Sequence, residues 1–417
     1  MNLKFLLSTS FIVASLCVNA QHKDIGYAIT GDGNKDFIWM NIRQVDLSTG
    51  EVVKTIFERS KTDFYLTDVI SKKTVTSAEA KNTNIFNSAG YPTSTFVAAA
   101  ALDQRGNKLF FTPMKMGELR WLDLNIKNET PHFYTLRADE LKFANGNDEA
   151  NNITRMVISS DGYGYAVSND GNNFIRFTTG KVPAVTNLGN LIDDEANKGV
   201  SIHNKCTSWG GDMIADAFGK LYIISANRHV FVIDVNTRIA TFKGAISGLP
   251  AQYSTNGAAV SKDGDIIVTS ANFFEGYYKV NLSDLKATKM EGSDSKYNAS
   301  DLANGNFLLQ KEADAAVKFE TGNAPVAVFA SADAKVYPNP VTSNSFYVTL
   351  NGQKAGKYNV ILTDVTGRII QTQSTQVSKG NQTVKINMVS RPIKGIYMVK
   401  VINAGNQAVI TEKIVLE

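Results

Sequence analysis

Chemistry in this chain of 417 residues would have to come from very few groups. Its four histidines are His22, His132, His203 and His229, and no two share the spacing of metal ligands on one element. Asp32, Asn34 and Asp36 alternate within GDGNKDF as they would in a calcium loop. Such a loop also needs a glycine at its sixth position and a bidentate glutamate at its twelfth. Here those positions hold Phe37 and Arg43, so the stretch reads as an inter-strand turn, as does SNDGNNF at residues 168–174. No Ser-His-Asp order and no phosphate-cradling glycine loop stands out, although a triad is defined by geometry rather than by sequence. No metal, no cofactor and no catalytic residue is expected.

A different set emerges from an internal alignment. Five segments line up on a turn glycine, at Gly106, Gly162, Gly219, Gly264 and Gly305. Seven residues before these glycines stand Ala99, Arg155, Asp212, Gly257 and Asn298; one position earlier stand Ala98, Thr154, Gly211, Asn256 and Tyr297. Alternation along a strand sends one set towards a shared axis or its mouth. Arg155, Asp212, Asn256 and Asn298, with Trp209 nearby, are therefore expected to converge on one face and bind a ligand. The competing reading is that they satisfy one another and ordered water around a narrow channel. Asp212 beside Arg155 is expected to be a permanently ionised partner rather than a catalytic acid.

The elements that would position these residues are strands. Between residues 25 and 322, short runs of Val, Ile, Phe and Tyr alternate with Gly, Asn and Asp turns, with almost no helical periodicity. The repeat of about 41 to 57 residues suits a four-stranded blade. A β-propeller of about six blades is expected, or seven if residues 57–92 hold a degenerate one. The run AAVKFET at residues 315–321 is expected to pair with the first strands and close the ring. Small residues, as at 98–101, 210–211 and 257–259, suit crowded inner strands, while aromatics such as Phe110, Phe111, Tyr222 and Phe231 would pack between blades.

At the amino terminus, Lys4 precedes an uncharged apolar run, and Val18-Asn19-Ala20 offers small residues for a cut before Gln21. Residues 1–20 read as a secretory signal peptide, and no later segment has the length of a transmembrane helix. Cys17 would leave with the signal, so Cys206 remains without an internal disulfide partner. A net charge of +4 with no dense Lys/Arg tract argues against a nucleic-acid partner.

Beyond Tyr337-Pro338-Asn339-Pro340 the composition shifts to alternating strands that suit a small β-sandwich. The prolines fix φ and cannot donate to a ladder, which fits a domain entrance. The segments VYPNPVTSNSFYVTL, GKYNVILTDVTGRII, GIYMVKV and EKIVL together resemble the type A C-terminal sorting domain of type IX secretion cargo in the Bacteroidetes. Tyr337, Pro338, Asn339, Pro340, Gly367, Arg368, Gly395 and Tyr397 carry the resemblance. It implies handling by the outer-membrane translocon, removal of the tail by a surface protease, and release or surface attachment of the cargo. The expected organisation is signal peptide 1–20, propeller 21–328, linker 329–336 and sorting domain 337–417. The propeller is expected to bind an extracellular glycan, peptide or protein partner without catalysis. The alternative is a hydrolase or lyase acting on polysaccharide or small lactones, with Asp212, Arg155 and His203 as participants; a third reading is a structural component of a surface layer.

Overall fold

The structure is a computed structural model. It describes residues 24–33, 36–80, 84–86, 88–125, 130–291, 297–315, 336–350, 353–364, 369–378, 382–388, 394–404 and 408–417. The expected signal peptide, Gly367 and Arg368 lie outside them. The chain divides into two compact units, Met1–Ala313 and Asp314–Glu417, described separately here.

The first unit is a β-propeller whose blades are four antiparallel strands each, two of them extended by a strand added in parallel. Among the described residues there are five blades, not about six. Their inner strands are Val97–Asp103, Ile153–Ile158, Asp212–Ala215, Gly257–Val260 and Ala299–Ala303. Each touches the next, and Ala299–Ala303 touches Val97–Asp103, so the ring is closed. The count differs because the closing blade is split. Ala299–Ala303 is the inner strand of the sheet whose outer strands are Ile25–Thr30, Asn41–Asp46 and Glu51–Phe57. What reads in sequence as a first and a last blade is one blade, built from both ends of the propeller. Closure thus falls to Ala299–Ala303, while residues 316–321 lie outside the described set. Nor do the described residues of 57–92 form another blade. Within them, the hairpin Tyr65–Asp68 and Thr74–Thr76 extends the blade that begins at Val97, pairing in parallel with His132–Arg137.

Local chemistry explains the blade turns. Asp103 accepts the backbone N–H groups of Arg105 and Gly106 through Oδ1, and Asp216 does the same for Phe218 and Lys220. Asp side chains that mimic a turn carbonyl fix hairpins in this way. At the axis the inner strands carry Ala99, Ala100, Ala101, Gly257, Ala258, Ala259 and Ala299, all buried. Larger rings pack between blades, as where Phe57 meets Phe133 edge-on at 5.0 Å and Phe110 meets Phe177 at 5.3 Å. Each buried phenyl ring stabilises the fold by about 1.5–3 kcal/mol.

After the closing strand, residues 304–309 cross the mouth at which the inner strands end. Asn304 and Asn306 donate to the Val260 carbonyl, and Asn306 also donates to Asp24 at 3.1 Å. Gly305 lies so close to Gln104 that a Cβ there would come within 2.2 Å of its amide oxygen. Leu308 joins the backbone of Ala215 and Ala217. One short segment is therefore tied to four blades, and it plugs this mouth.

The second unit is a sandwich of a three-stranded and a four-stranded sheet around a common core that includes Phe346, Leu350, Val360, Val399 and Ile414. Its entry is tied to the strand Ala408–Leu416. The Asn339 side chain donates to the Lys413 carbonyl at 2.9 Å and accepts from the Val415 N–H at 2.9 Å. Val341 continues the pairing with Val415 and Glu417. Asn339 thus stands in for a backbone partner. Asn339→Ala is predicted to lower stability of the tail by about 1–3 kcal/mol, since both partners lose a bond. Chemical denaturation followed by a probe in the tail measures this, and an unchanged midpoint would contradict the clamp.

Candidate functional site

Arg155 and Asp212 lie on neighbouring inner strands, but they do not form the expected ion pair. The Arg155 guanidinium is fully buried and donates to four carbonyls, those of Ser168, Asn169, Ser208 and Gly210. It fastens the blade beginning at Ile153 to the entrance of the next. Burial lowers its pKa to about 10. Gly211, with φ +87°, shapes the turn into Asp212; a Cβ there would lie 1.9 Å from the Ile224 carbonyl oxygen.

Asp212 is enclosed on the axis and accepts the N–H groups of Met213 and Ala258 at 2.6 Å and of Leu302 at 3.3 Å. Its ionisable neighbour is Asp301 on the closing strand, also fully buried. Asp301 lies against the Ala100 N–H and the Asp212 carboxyl, although neither of its oxygens meets strict hydrogen-bond geometry. Burial raises both pKa values, that of Asp212 to about 8 and that of Asp301 well above the carboxylate range. The correction to Asp212 is therefore one of partner and of charge: desolvation favours its neutral form against the opposing pull of its hydrogen bonds, while at Asp301 desolvation is joined by the Asp212 charge. Through these contacts the pair touches four of the five blades.

The other sequence candidates sit at the mouth where the inner strands begin. Trp209 is half-buried, donates from Nε1 to the His203 carbonyl at 3.0 Å, and carries the Lys205 ammonium 5.0 Å from its ring centroid. Asn256 and Asn298 meet at Ala271, the first accepting its N–H at 3.0 Å and the second donating to its carbonyl. The structure thus brings Asn256 and Asn298 together, and Arg155 with the Trp209–Gly210 turn, while Asp212 stays enclosed.

Sequence reasoning missed the aromatic part of this mouth. Phe37, 54% exposed, stacks on Trp39 at 5.5 Å and meets Phe274 edge-on at 5.5 Å. Phe274 belongs in turn to a shallow cleft shared with Ser270, Phe273, Tyr277, Tyr297 and Asn298, whose empty space, partly open to solvent, is about 170 Å³. Arg59 braces the loop bearing Phe37. It pairs with Asp32 through two nitrogens, approaches Asp36 at 3.8 Å and lies 5.6 Å from the Phe86 ring centroid. Its guanidinium holds the Asp32 carboxyl below the usual range. Where a calcium loop would hold a cation, the chain supplies its own. The signal for Asp301 was present: four residues before the aligned glycines it is the lone acid, beside Leu102, Ile158, Ala215 and Val260.

Among the described residues, no group of three or more His, Cys, Asp or Glu residues could hold a metal ion. His203 Nδ1 meets the Asp170 carbonyl at 2.6 Å and His229 Nδ1 the Thr207 carbonyl at 2.8 Å. His132 stacks on Tyr134 at 4.6 Å, and burial lowers its pKa.

In the second unit Tyr337 is 44% exposed and stacks on Tyr347 at 5.6 Å, while Tyr397 is buried in the core. Gly395 opens the strand Gly395–Asn403 opposite Leu416. Residues 335–417 match the secretion system C-terminal sorting domain. The chain is a type IX secretion cargo. Its tail implies export to the cell surface or secretion, and no described helix is long and apolar enough to cross a membrane. No curated protein matches this cargo. Among solved structures, PorZ, a surface component of the type IX secretion system of Porphyromonas gingivalis, is 15% identical with a TM-score of 0.32. That likeness covers 94% of this chain and 51% of PorZ, so the cargo spans about half the length of PorZ. Virginiamycin B lyase from Staphylococcus aureus is 10% identical with a TM-score of 0.28, covering 79% and 86% of the two chains.

The axial acids generate a pH prediction. A folded-state pKa above the unfolded value of about 3.9 means that the folded chain holds more protons. The pair's contribution is fully present below that value and is lost as pH rises towards about 8. The loss is up to about 1.4 kcal/mol per pH unit for each carboxyl. Asp301→Asn is predicted to flatten this slope between pH 5 and pH 8, as measured by urea denaturation across a pH series. Equal slopes in both proteins would refute the assignment.

Proposed function

We propose that the propeller of this cargo is a non-catalytic module that binds an extracellular glycan, peptide or protein at its unplugged mouth. One observation carries this reading: one mouth is crossed by residues 304–309, whereas the other displays exposed Phe37 beside Trp39, Phe274 and the Tyr297–Asn298 cleft. Exposed aromatic surface with a few polar groups below it is the usual form of a recognition site. In this reading Asn256 and Asn298 line the polar floor, Trp209 flanks it, and Arg155 and Asp212 hold the strands beneath. A hydrolase or lyase built on Asp212, Arg155 and His203 would need substrate at the enclosed carboxyl, and His203 is occupied by the Asp170 carbonyl. We also propose that residues 1–20 are removed as a signal peptide, and that the translocon and a surface protease act on the tail from about residue 337.

Glycan and peptide arrays probed with the purified full chain test the binding reading. Phe37→Ala and Phe274→Ala are each predicted to weaken the hit by roughly tenfold, the loss of one aromatic contact of about 1–2 kcal/mol. Unchanged binding in both variants would remove this mouth as the site. For export, deletion of residues 335–417 is predicted to retain the protein in the periplasm, as read by cell fractionation. Normal secretion of that truncation would contradict the address.

A further inference from the structure

Charge is unevenly shared along this chain. Residues 335–417 carry ten Lys and Arg against three Asp and Glu, a net charge of +7 in a chain whose total is +4. A basic bias confined to one domain points to an anionic partner. Part of it is gathered on one surface, the outer face of the four-stranded sheet formed by Gly356–Asp364, Ile369–Val377, Gly395–Asn403 and Ala408–Leu416. Along these strands Val360, Leu362, Val399 and Val401 turn into the core, so their neighbours in sequence point the other way. On that outer face one row crosses Ile369, Thr363, Met398 and Lys413, and the next crosses Ile361, Lys400 and Thr411. Ile369 is 60% exposed, and Ile396, which flanks the first row, is 47% exposed. Asp364 and Glu412 pair with the core residues Tyr397 and Val399 and therefore face inward, while Glu417 lies past the last strand. Among the described residues of these strands, the outer face holds cations but no acid.

An acidic protein and an anionic lipid surface would both answer this charge, and the side chains favour the lipid. Protein interfaces are enriched in arginine and depleted in lysine, whereas the described cations of this face, Lys357, Lys400 and Lys413, are all lysines. A lysine is a point charge without a fork to match one fixed carboxylate, which suits a fluid array of phosphates. Its aliphatic stem lies along apolar surface while the ammonium stays at headgroup level. The sheet face is otherwise unusual for one left to water, since solvent faces ordinarily alternate to polar residues and this one intersperses Ile361, Ile369, Ile396 and Met398. Export to the cell surface or beyond, which the sorting tail implies, carries this face past the outer leaflet of the outer membrane. We propose that the outer face of the four-stranded sheet docks on that anionic leaflet. The lysines meet lipid phosphates, and the exposed isoleucines rest on the boundary between headgroups and acyl chains.

Co-sedimentation of the full chain with lipid vesicles tests the assignment. Vesicles of phosphatidylcholine mixed with lipid A are expected to bind it at least about tenfold more tightly than phosphatidylcholine alone, given the attraction of each lysine to an anionic surface. Lys413→Glu is expected to weaken this binding by about tenfold, and Lys400→Glu repeats the reading at a second position. The control is Lys385→Glu, which makes the same change of charge on the outer face of the other sheet, between the buried Val384 and Ile386. It should cost less than about threefold, the long-range share of the lost charge. Lys413 and Lys385 are both exposed, so neither variant should move the melting temperature. Equal binding to the two kinds of vesicle, or equal losses in Lys413→Glu and Lys385→Glu, would overturn the proposal. Displacement by inorganic phosphate at matched ionic strength would reveal a site for the free anion and would also overturn it. On intact cells, a benzophenone photo-crosslinker in place of Ile396 is expected to label lipid A. Label found on protein alone would give this face to a protein partner instead.

Discussion

The propeller depends on one strand arriving from the wrong end of the chain. Ala299–Ala303 completes a blade begun some 270 residues earlier, and until it docks, the outer strands from Ile25 to Phe57 have no inner neighbour. Loop closure over that distance is entropically unfavourable but grows only logarithmically with length. It is repaid by the apolar interfaces on both sides, where Ile29 and Ile42 meet one neighbouring blade and Ala28 and Leu302 the other. The same strand delivers Asp301 to the axis, beside a carboxyl from a blade it does not adjoin. Closure, axial chemistry and the plug that follows at residues 304–309 are one event in the chain.

Function follows from the asymmetry this creates. The chain leaves the closing blade across one mouth, which spends the polar groups of Asn304, Asn306 and Asp24 on internal bonds. At the opposite mouth the loops are longer, and the structure braces them from below. Arg120, buried, donates to the carbonyls of Ala89, Tyr91 and Pro92 and pairs with Glu118. Arg59 does the same for the loop carrying Phe37. Arg120 thereby fixes a loop whose Tyr91 is buried, while Arg59, through Asp32, fixes the loop whose Phe37 stays exposed.

Much of this fold was legible because a propeller repeats. The turn glycines and their Asp partners are local chemistry, so Asp161-Gly162 and Asp263-Gly264 announced hairpins that the structure contains. The small residues of the inner strands announced the axis. What was not legible is everything that depends on which end meets which. The segments at Ile25 and at Ala299 look like separate units because nothing in either says that they share a sheet. For the same reason the alignment, which sets Arg155 beside Asp212, suggests an ion pair, whereas the backbone carbonyls of the Ser208–Gly210 turn claim the arginine. Phe37, Trp39 and Phe274 lie in loops outside the repeat, where an alignment on turn glycines has nothing to compare.

The tail carries a consequence of its own. Its Tyr-Pro-Asn-Pro entrance is shaped not by neighbours in sequence but by Asn339 gripping Lys413 and Val415, 74 and 76 residues further on. A chain cut short of Lys413 keeps those four residues but loses both bonds that hold Asn339 in place.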